Sequence, residues 1–197
     1  MRRASAQYVE GAHRLCPPTL LDSFKPAWYA CCVNAQSIID KLGLTPLSIE
    51  GGYFYETYRS EEIIPQDALD SRYGGGRATS TAIYYLLTPD TISRLHRLKS
   101  DEIFHFYAGD SVEMLQLEPD GSHRLIIIGN DLDADQQPQV IAPRGVWQGC
   151  RLVKGGSWAL MGTTVAPAFD YADYETPDIE ALAAQYPECA EMIRALG

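Results

Sequence analysis

Ile92-Ser-Arg-Leu-His96-Arg-Leu-Lys-Ser-Asp-Glu102-Ile-Phe-His105-Phe-Tyr-Ala-Gly109 holds two of the four histidines of the chain beside a carboxylate. Apolar and polar residues alternate along it, the period of a strand with one buried face. Residues of equal parity share a side, so His96, Leu98, Glu102, Phe104 and Phe106 point one way if the turn around Ser100 keeps register. A histidine and a carboxylate then face a single interior. His105 falls on the opposite side unless a bulge re-aims it.

The same texture extends well beyond this stretch. After Pro46, short β-rich runs are separated by Gly, Pro, Asp and Asn: Tyr53 to Arg59, Thr79 to Leu87, Ser93 to Leu98, Ile103 to Tyr107, Ser111 to Leu117, His123 to Ile128, Gln139 to Ala142, Arg151 to Val153 and Ser157 to Thr164. Turn signals such as Thr88-Pro89-Asp90, Pro119-Asp120-Gly121 and Gly155-Gly156 lie between them. Many short strands at this spacing predict an all-β sandwich or barrel rather than a parallel sheet with crossover helices. Asn34 caps a predicted short helix with Ala35, Ile38, Ile39 and Leu42 on its apolar side, and Gly43 stops it. At the far end, Thr176 and Pro177 open a helical tail that Pro187 divides in two. Residues 1–33 show no steady period and read as an extension, with Trp28 and Tyr29 able to dock it; residues 34–197 form one domain.

Composition narrows the function. With 46% hydrophobic and 21% charged residues in 197, the chain can bury a core without help. A formal net charge of −10 opposes binding to phosphate backbones, and no basic stripe is present, so nucleic acid is not an expected partner. No apolar run is long enough to span a bilayer and the N-terminus lacks the apolar segment of a secretory signal; a cytoplasmic protein without membrane partners is expected. Five cysteines without a Cys-x-x-Cys pair predict reduced thiols. Cys150 has no evident histidine to activate it as a nucleophile.

The stretch around His96 resembles the first motif of the cupins, β-barrel proteins of jelly-roll type: His-x-His, three or four residues, Glu, six residues, Gly. Here His96, Glu102 and Gly109 keep the spacing and Leu98 replaces the second His. Pro143-Arg144-Gly145 is similar to the second motif, with Gln148 where its His belongs. Glu50 to Ser60, Ser80 to Leu87 and Val165 to Phe169 look like segments of the branch known as cupin family 5, with Ala168 in place of a usual Gly. The resemblance covers roughly residues 34–196. It implies a single cupin jelly-roll β-barrel with short flanking helices, and a homodimer paired through edge strands.

The resemblance also implies an interior site. Of its four usual metal ligands, two are substituted. The expectation is therefore no cofactor, the open alternative being a divalent metal held by a degenerate set of His96, Glu102 and Gln148. For catalysis, His96 is the candidate base, Glu102 its orienting carboxylate, and Tyr58, Tyr84 or Tyr85 the proton donor. His105, Gln148, Phe106, Arg59 and Arg77 are candidates for binding a small polar ligand, the arginines through a phosphate or carboxylate. Epimerase, isomerase or lyase chemistry on a sugar or nucleotide-sugar metabolite is the leading expectation. Its rivals are a ligand-binding cupin without turnover and a metal-dependent oxygenase or isomerase in which Gln148 and water complete the coordination.

Overall fold

A computed structural model describes residues 33–197. The extension, its docking by Trp28 and Tyr29, and the state of Cys16, Cys31 and Cys32 lie outside the described residues. Asn34 accepts from the Ser37 amide at 2.8 Å while the Ser37 hydroxyl oxygen accepts from the Asn34 amide at 3.2 Å. This reciprocal cap starts helix α1 (Ala35–Leu42), and Gly43 ends it at φ 64°.

The strands follow as β1 (Thr45–Pro46), β2 (Tyr53–Arg59), β3 (Ile63–Ile64), β4 (Arg77–Ala78), β5 (Thr81–Leu87), β6 (Ile92–Leu98) and β7 (Asp101–Gly109). Then come β8 (Val112–Leu117), β9 (His123–Ile128), β10 (Gln139–Ala142), β11 (Trp147–Leu152), β12 (Ala159–Ala166) and β13 (Tyr174–Glu175). Helices α2 (Ile179–Gln185) and α3 (Ala190–Ala195) close the chain, divided by a 3-10 turn at Pro187. The tail helix starts two residues later than predicted, because Asp178 rather than Thr176 accepts the Ala181 amide. The larger sheet runs β1-β2-β5-β12-β7-β10 and the smaller β13-β6-β11-β8-β9, with every ladder antiparallel. Nearly all the strands read from the sequence are present, in an all-β jelly roll.

The two sheets face each other across Tyr85, Leu87, Phe104, Met114, Ile128 and Met161, all fully buried. On the outer side of the smaller sheet, Leu95, Leu115 and Leu117 receive Leu182, Ile193 and Leu196 from α2 and α3. Burial stabilises each of these by roughly 2 kcal/mol, which holds in place two helices too short to persist alone. On the larger sheet, Ile38 of α1 and the following Leu44 cover Leu86. Leu95 outward and His96 inward is the alternation of β6, and it delivers the histidine to the interior.

Candidate functional site

Between the sheets lies a cavity of about 90 Å³ bordered by His96, Leu98 and Glu102 together with Glu50, Thr163 and Tyr174. A few polar groups converging in an otherwise apolar enclosure are the usual make-up of a small-molecule site. In the ladder between β6 and β11, Gln148 stands directly opposite His96, and β7 brings Glu102 from the other sheet. The amide nitrogen of Gln148 donates to Glu102 Oε2 at 2.9 Å and lies 2.7 Å from His96 Nε2. His96 Nδ1 donates to the Arg94 carbonyl at 2.7 Å, and Nε2 is 3.7 Å from Glu102. All three side chains are almost completely buried. The Oε1 atom of Gln148 has no hydrogen-bond partner among the described residues.

Burial by itself favours a neutral imidazole, but the carboxylates of Glu50 and Glu102 and the Arg94 carbonyl outweigh it and lift His96 to about 9. An imidazolium therefore faces the cavity at neutral pH. As placed, the Gln148 amide nitrogen aims a donor at Nε2, which suits a neutral ring; turning the amide over gives the imidazolium an acceptor but gives up the bond to Glu102 and sets Oε1 against that carboxylate. Glu50 precedes Gly51, whose φ of 104° and close approach to the Ile92 carbonyl leave no room for a Cβ. Burial, then the nearby Glu102, raises the Glu50 carboxyl, while His96 and the Ser93 hydroxyl oppose that rise. Ser93 donates to Oε1 of Glu50 at 2.7 Å; the other oxygen takes no short hydrogen bond from the described residues. Tyr174 of β13 stacks on His96 with ring centroids 4.8 Å apart, and its buried hydroxyl is unpartnered. Burial, then Glu50, pushes that phenol well above its ordinary value. Burial likewise holds the Cys150 thiol protonated, which removes it as a nucleophile.

The structure thus brings together His96, Glu102 and Gln148 and leaves Arg59 at the mouth. Of the other residues expected at the site, only Tyr85 comes near it. A bulge in β2 between Glu56 and Tyr58 turns Tyr58 outward, where it is 53% exposed. Tyr84 packs outside against α1 and the ring of Tyr107. Tyr85 faces inward, its hydroxyl donating to the Gly51 carbonyl at 3.0 Å and lying beside the Glu50 carboxyl; burial, then Glu50, pushes that phenol well above its ordinary value. His105 follows strand parity to the outer face and meets the Thr164 hydroxyl at 3.2 Å. Phe106 packs on the core. Arg77 does not reach the cavity; buried, it holds both oxygens of Asp173 at 2.7 and 2.8 Å. Glu50 and Tyr174 were not read from the sequence as site residues. Only the carboxylate before a glycine pair signalled the first, and a two-residue strand carries no periodicity to signal the second.

A metal of the kind cupins often carry finds a poor donor set. Among the described residues no three His, Cys, Asp or Glu side chains are grouped to hold a metal ion. Leu98 presents methyl groups where a second histidine would stand, and the Gln148 amide occupies the approach to His96 Nε2. These residues do not fit a resident transition metal.

Comparison with known proteins agrees with the fold and the motifs. Residues 36–177 match the family described as Cupin superfamily (DUF985). An uncharacterized protein of Saccharomyces cerevisiae, YML079W, is 31% identical over 134 residues, 64% of this chain; the match spans 66% of the length of the yeast protein. A hypothetical protein from Leishmania major superposes with a TM-score of 0.74 at 28% identity, covering 83% of this chain and 98% of its own. Protein SO0799 from Shewanella oneidensis gives 0.72 at 33%, covering 83% and 97%. No helix among the described residues is long and apolar enough to cross a membrane. By its motifs, its two-sheet architecture and these matches, the chain belongs to the cupin superfamily, in the family DUF985.

Proposed function

We propose that this cupin is a proton-transfer enzyme, an epimerase, isomerase or lyase acting next to a carbonyl of a small polar metabolite. The observation that carries the reading is that a carboxylate with a free oxygen, Glu50, and a phenol without a partner, Tyr174, border one cavity together with a buried imidazolium. Both ring nitrogens of His96 are engaged by protein groups, so its role here is charge rather than proton abstraction. Glu50 takes the proton from carbon, His96 stabilises the negative charge that develops on the carbonyl oxygen, and Tyr174 delivers a proton. Glu102 and the Arg94 carbonyl hold the imidazolium in place.

The test is hydrogen exchange in deuterated water, followed by NMR, on a panel of hydroxy-carbonyl compounds with the wild type and Glu50→Gln. Exchange at carbon that is lost in the variant supports the reading. The rival is a binding protein without turnover, favoured by the same saturation of the His96 nitrogens; ligand binding with no exchange in the wild type would establish it.

We also propose a homodimer, now paired through the outer face of the larger sheet rather than through edge strands. Across the larger sheet, the row Tyr58, Ala82, Thr164, Ile103 and Ile141 and the row Tyr55, Tyr84, Gly162, His105 and Gln139 form an outer face poor in charge. Tyr55, Tyr58, Tyr107 and Ile141 are each about half exposed there. Such a face favours a partner. A monomer by light scattering at micromolar concentration would contradict it.

A further inference from the structure

Two arginines were the natural anchors for an anionic ligand, and the structure shows both already engaged. At the cavity mouth Arg59 binds Glu56 through two nitrogens, Nε to Oε1 at 3.1 Å and Nη2 to Oε2 at 2.7 Å, and its Nη1 donates to the Phe169 carbonyl at 3.2 Å. Arg77 is held by Asp173 away from the cavity. Arg94, the next candidate along β6, donates to the carbonyls of Ser48 and Ile49. The ionisable groups bordering the cavity are Glu50, Glu56 and Glu102 against Arg59 and His96, so carboxylates outnumber cations. A ligand phosphate entering here meets carboxylates in a partly dehydrated space, where like charges repel far more than in water. The rest of the mouth is aromatic, with Phe169 and Tyr171 set edge to face at 5.1 Å and the ring of Tyr174 beyond them. Aromatic faces of this kind take the apolar side of a sugar ring or a cationic nitrogen.

We propose that the cavity selects a ligand without negative charge, an uncharged or amine-bearing polyhydroxylated carbonyl compound, and excludes its phosphorylated and nucleotide-linked forms. The inference rests on reading the cavity as the ligand site and adds to that reading the charge of the ligand. It narrows the sugar and nucleotide-sugar class expected from the sequence to the unphosphorylated members.

The test is calorimetric binding to the full chain with aldoses, ketoses and amino sugars, each beside its phosphate ester, and with a uridine-diphosphate sugar. The free forms should bind at least about tenfold more tightly than their esters, the scale of one charge-assisted hydrogen bond made or opposed. Glu56→Gln, which leaves the Arg59 guanidinium without its carboxylate, should narrow that gap by about tenfold for the esters. A phosphate ester or nucleotide sugar that binds more tightly than its free parent overturns the inference, as does an equal response to all probes or a response to none. Exchange at carbon, read in the same samples, separates the two claims. An ester that binds at least as tightly as its free parent and exchanges defeats the charge selectivity but not the chemistry; a free sugar that binds more tightly than its ester but does not exchange does the reverse.

Discussion

The ring of Tyr174 lies on the imidazole of His96, the centroids 4.8 Å apart and the planes inclined by 20°, while its buried hydroxyl meets no partner. Tyr174→Phe keeps the stack and removes only the hydroxyl. Losing an unsatisfied buried group should leave stability unchanged or raise it by less than about 1 kcal/mol. Exchange at carbon should fall by about a hundredfold or more, the usual contribution of a positioned acid. Urea unfolding and NMR exchange measure the two separately. Unchanged exchange would remove Tyr174 from the chemistry.

Stability should fall as pH rises. His96 is raised from 6.5 unfolded to about 9 folded, so its contribution is complete below pH 6.5 and disappears as pH climbs through 9. For His96 the loss is on the order of 3 kcal/mol. Glu50, also raised, acts in the same direction: its contribution is present below its unfolded value of 4.5 and is lost through its higher folded value. Unfolding free energies at pH 6 and above pH 9 should therefore differ in the wild type, and the difference should shrink in His96→Gln to the part that Glu50 contributes. A flat wild-type profile would contradict the assigned charge.

Leu98 and Gln148 stand at the two positions where the cupin motifs carry histidine. Leu98→His combined with Gln148→His should create a set with His96 and Glu102 that retains close to one equivalent of divalent metal. The wild type is expected to retain less than about a tenth of an equivalent of iron, manganese, nickel or zinc. Elemental analysis of both proteins, purified without chelator or nickel resin, decides the point. Stoichiometric metal in the wild type would restore the metalloenzyme alternative.

Arg77 and Asp173 are 6% and 3% exposed, and the residue after Asp173 is the tyrosine that covers His96. Arg77→Ala should cost about 3 kcal/mol, because it leaves a carboxylate buried with only Lys99 nearby at 3.4 Å. Arg77→Met with Asp173→Leu should recover much of that loss. If the pair also fixes the position of Tyr174, ligand affinity should fall in the single variant and return in the double. Thermal unfolding and calorimetry report both.

The sequence made the fold legible wherever strand parity was unbroken. His96, Leu98 and Glu102 border one cavity as their even numbering predicts. Parity failed at bulges: β2 slips between Glu56 and Tyr58, which sends Tyr58 outward and Arg59 inward. The start of β11 was hidden by Gly149, which reads as a breaker. In the structure it lies at a register shift, and a Cβ there would stand 2.9 Å from the Ser93 carbonyl oxygen and 3.1 Å from the Leu95 nitrogen. Gln148 was legible as a substituted ligand position, but its pairing opposite His96 emerged only with that strand. Arg77 reads from sequence as a free cation because its partner lies 96 positions away.

The alternation that puts Leu95 under the tail helices and His96 in the cavity also governs which heritable changes the gene can tolerate. Removing one codon from β6 would transpose inside and outside along the strand, presenting a leucine to the ligand and a histidine to the helices. Removing two would preserve the sidedness and shorten the strand. Length variation among functioning descendants of this chain should therefore gather in the turns, and inside β6 and β7 it should come in even steps.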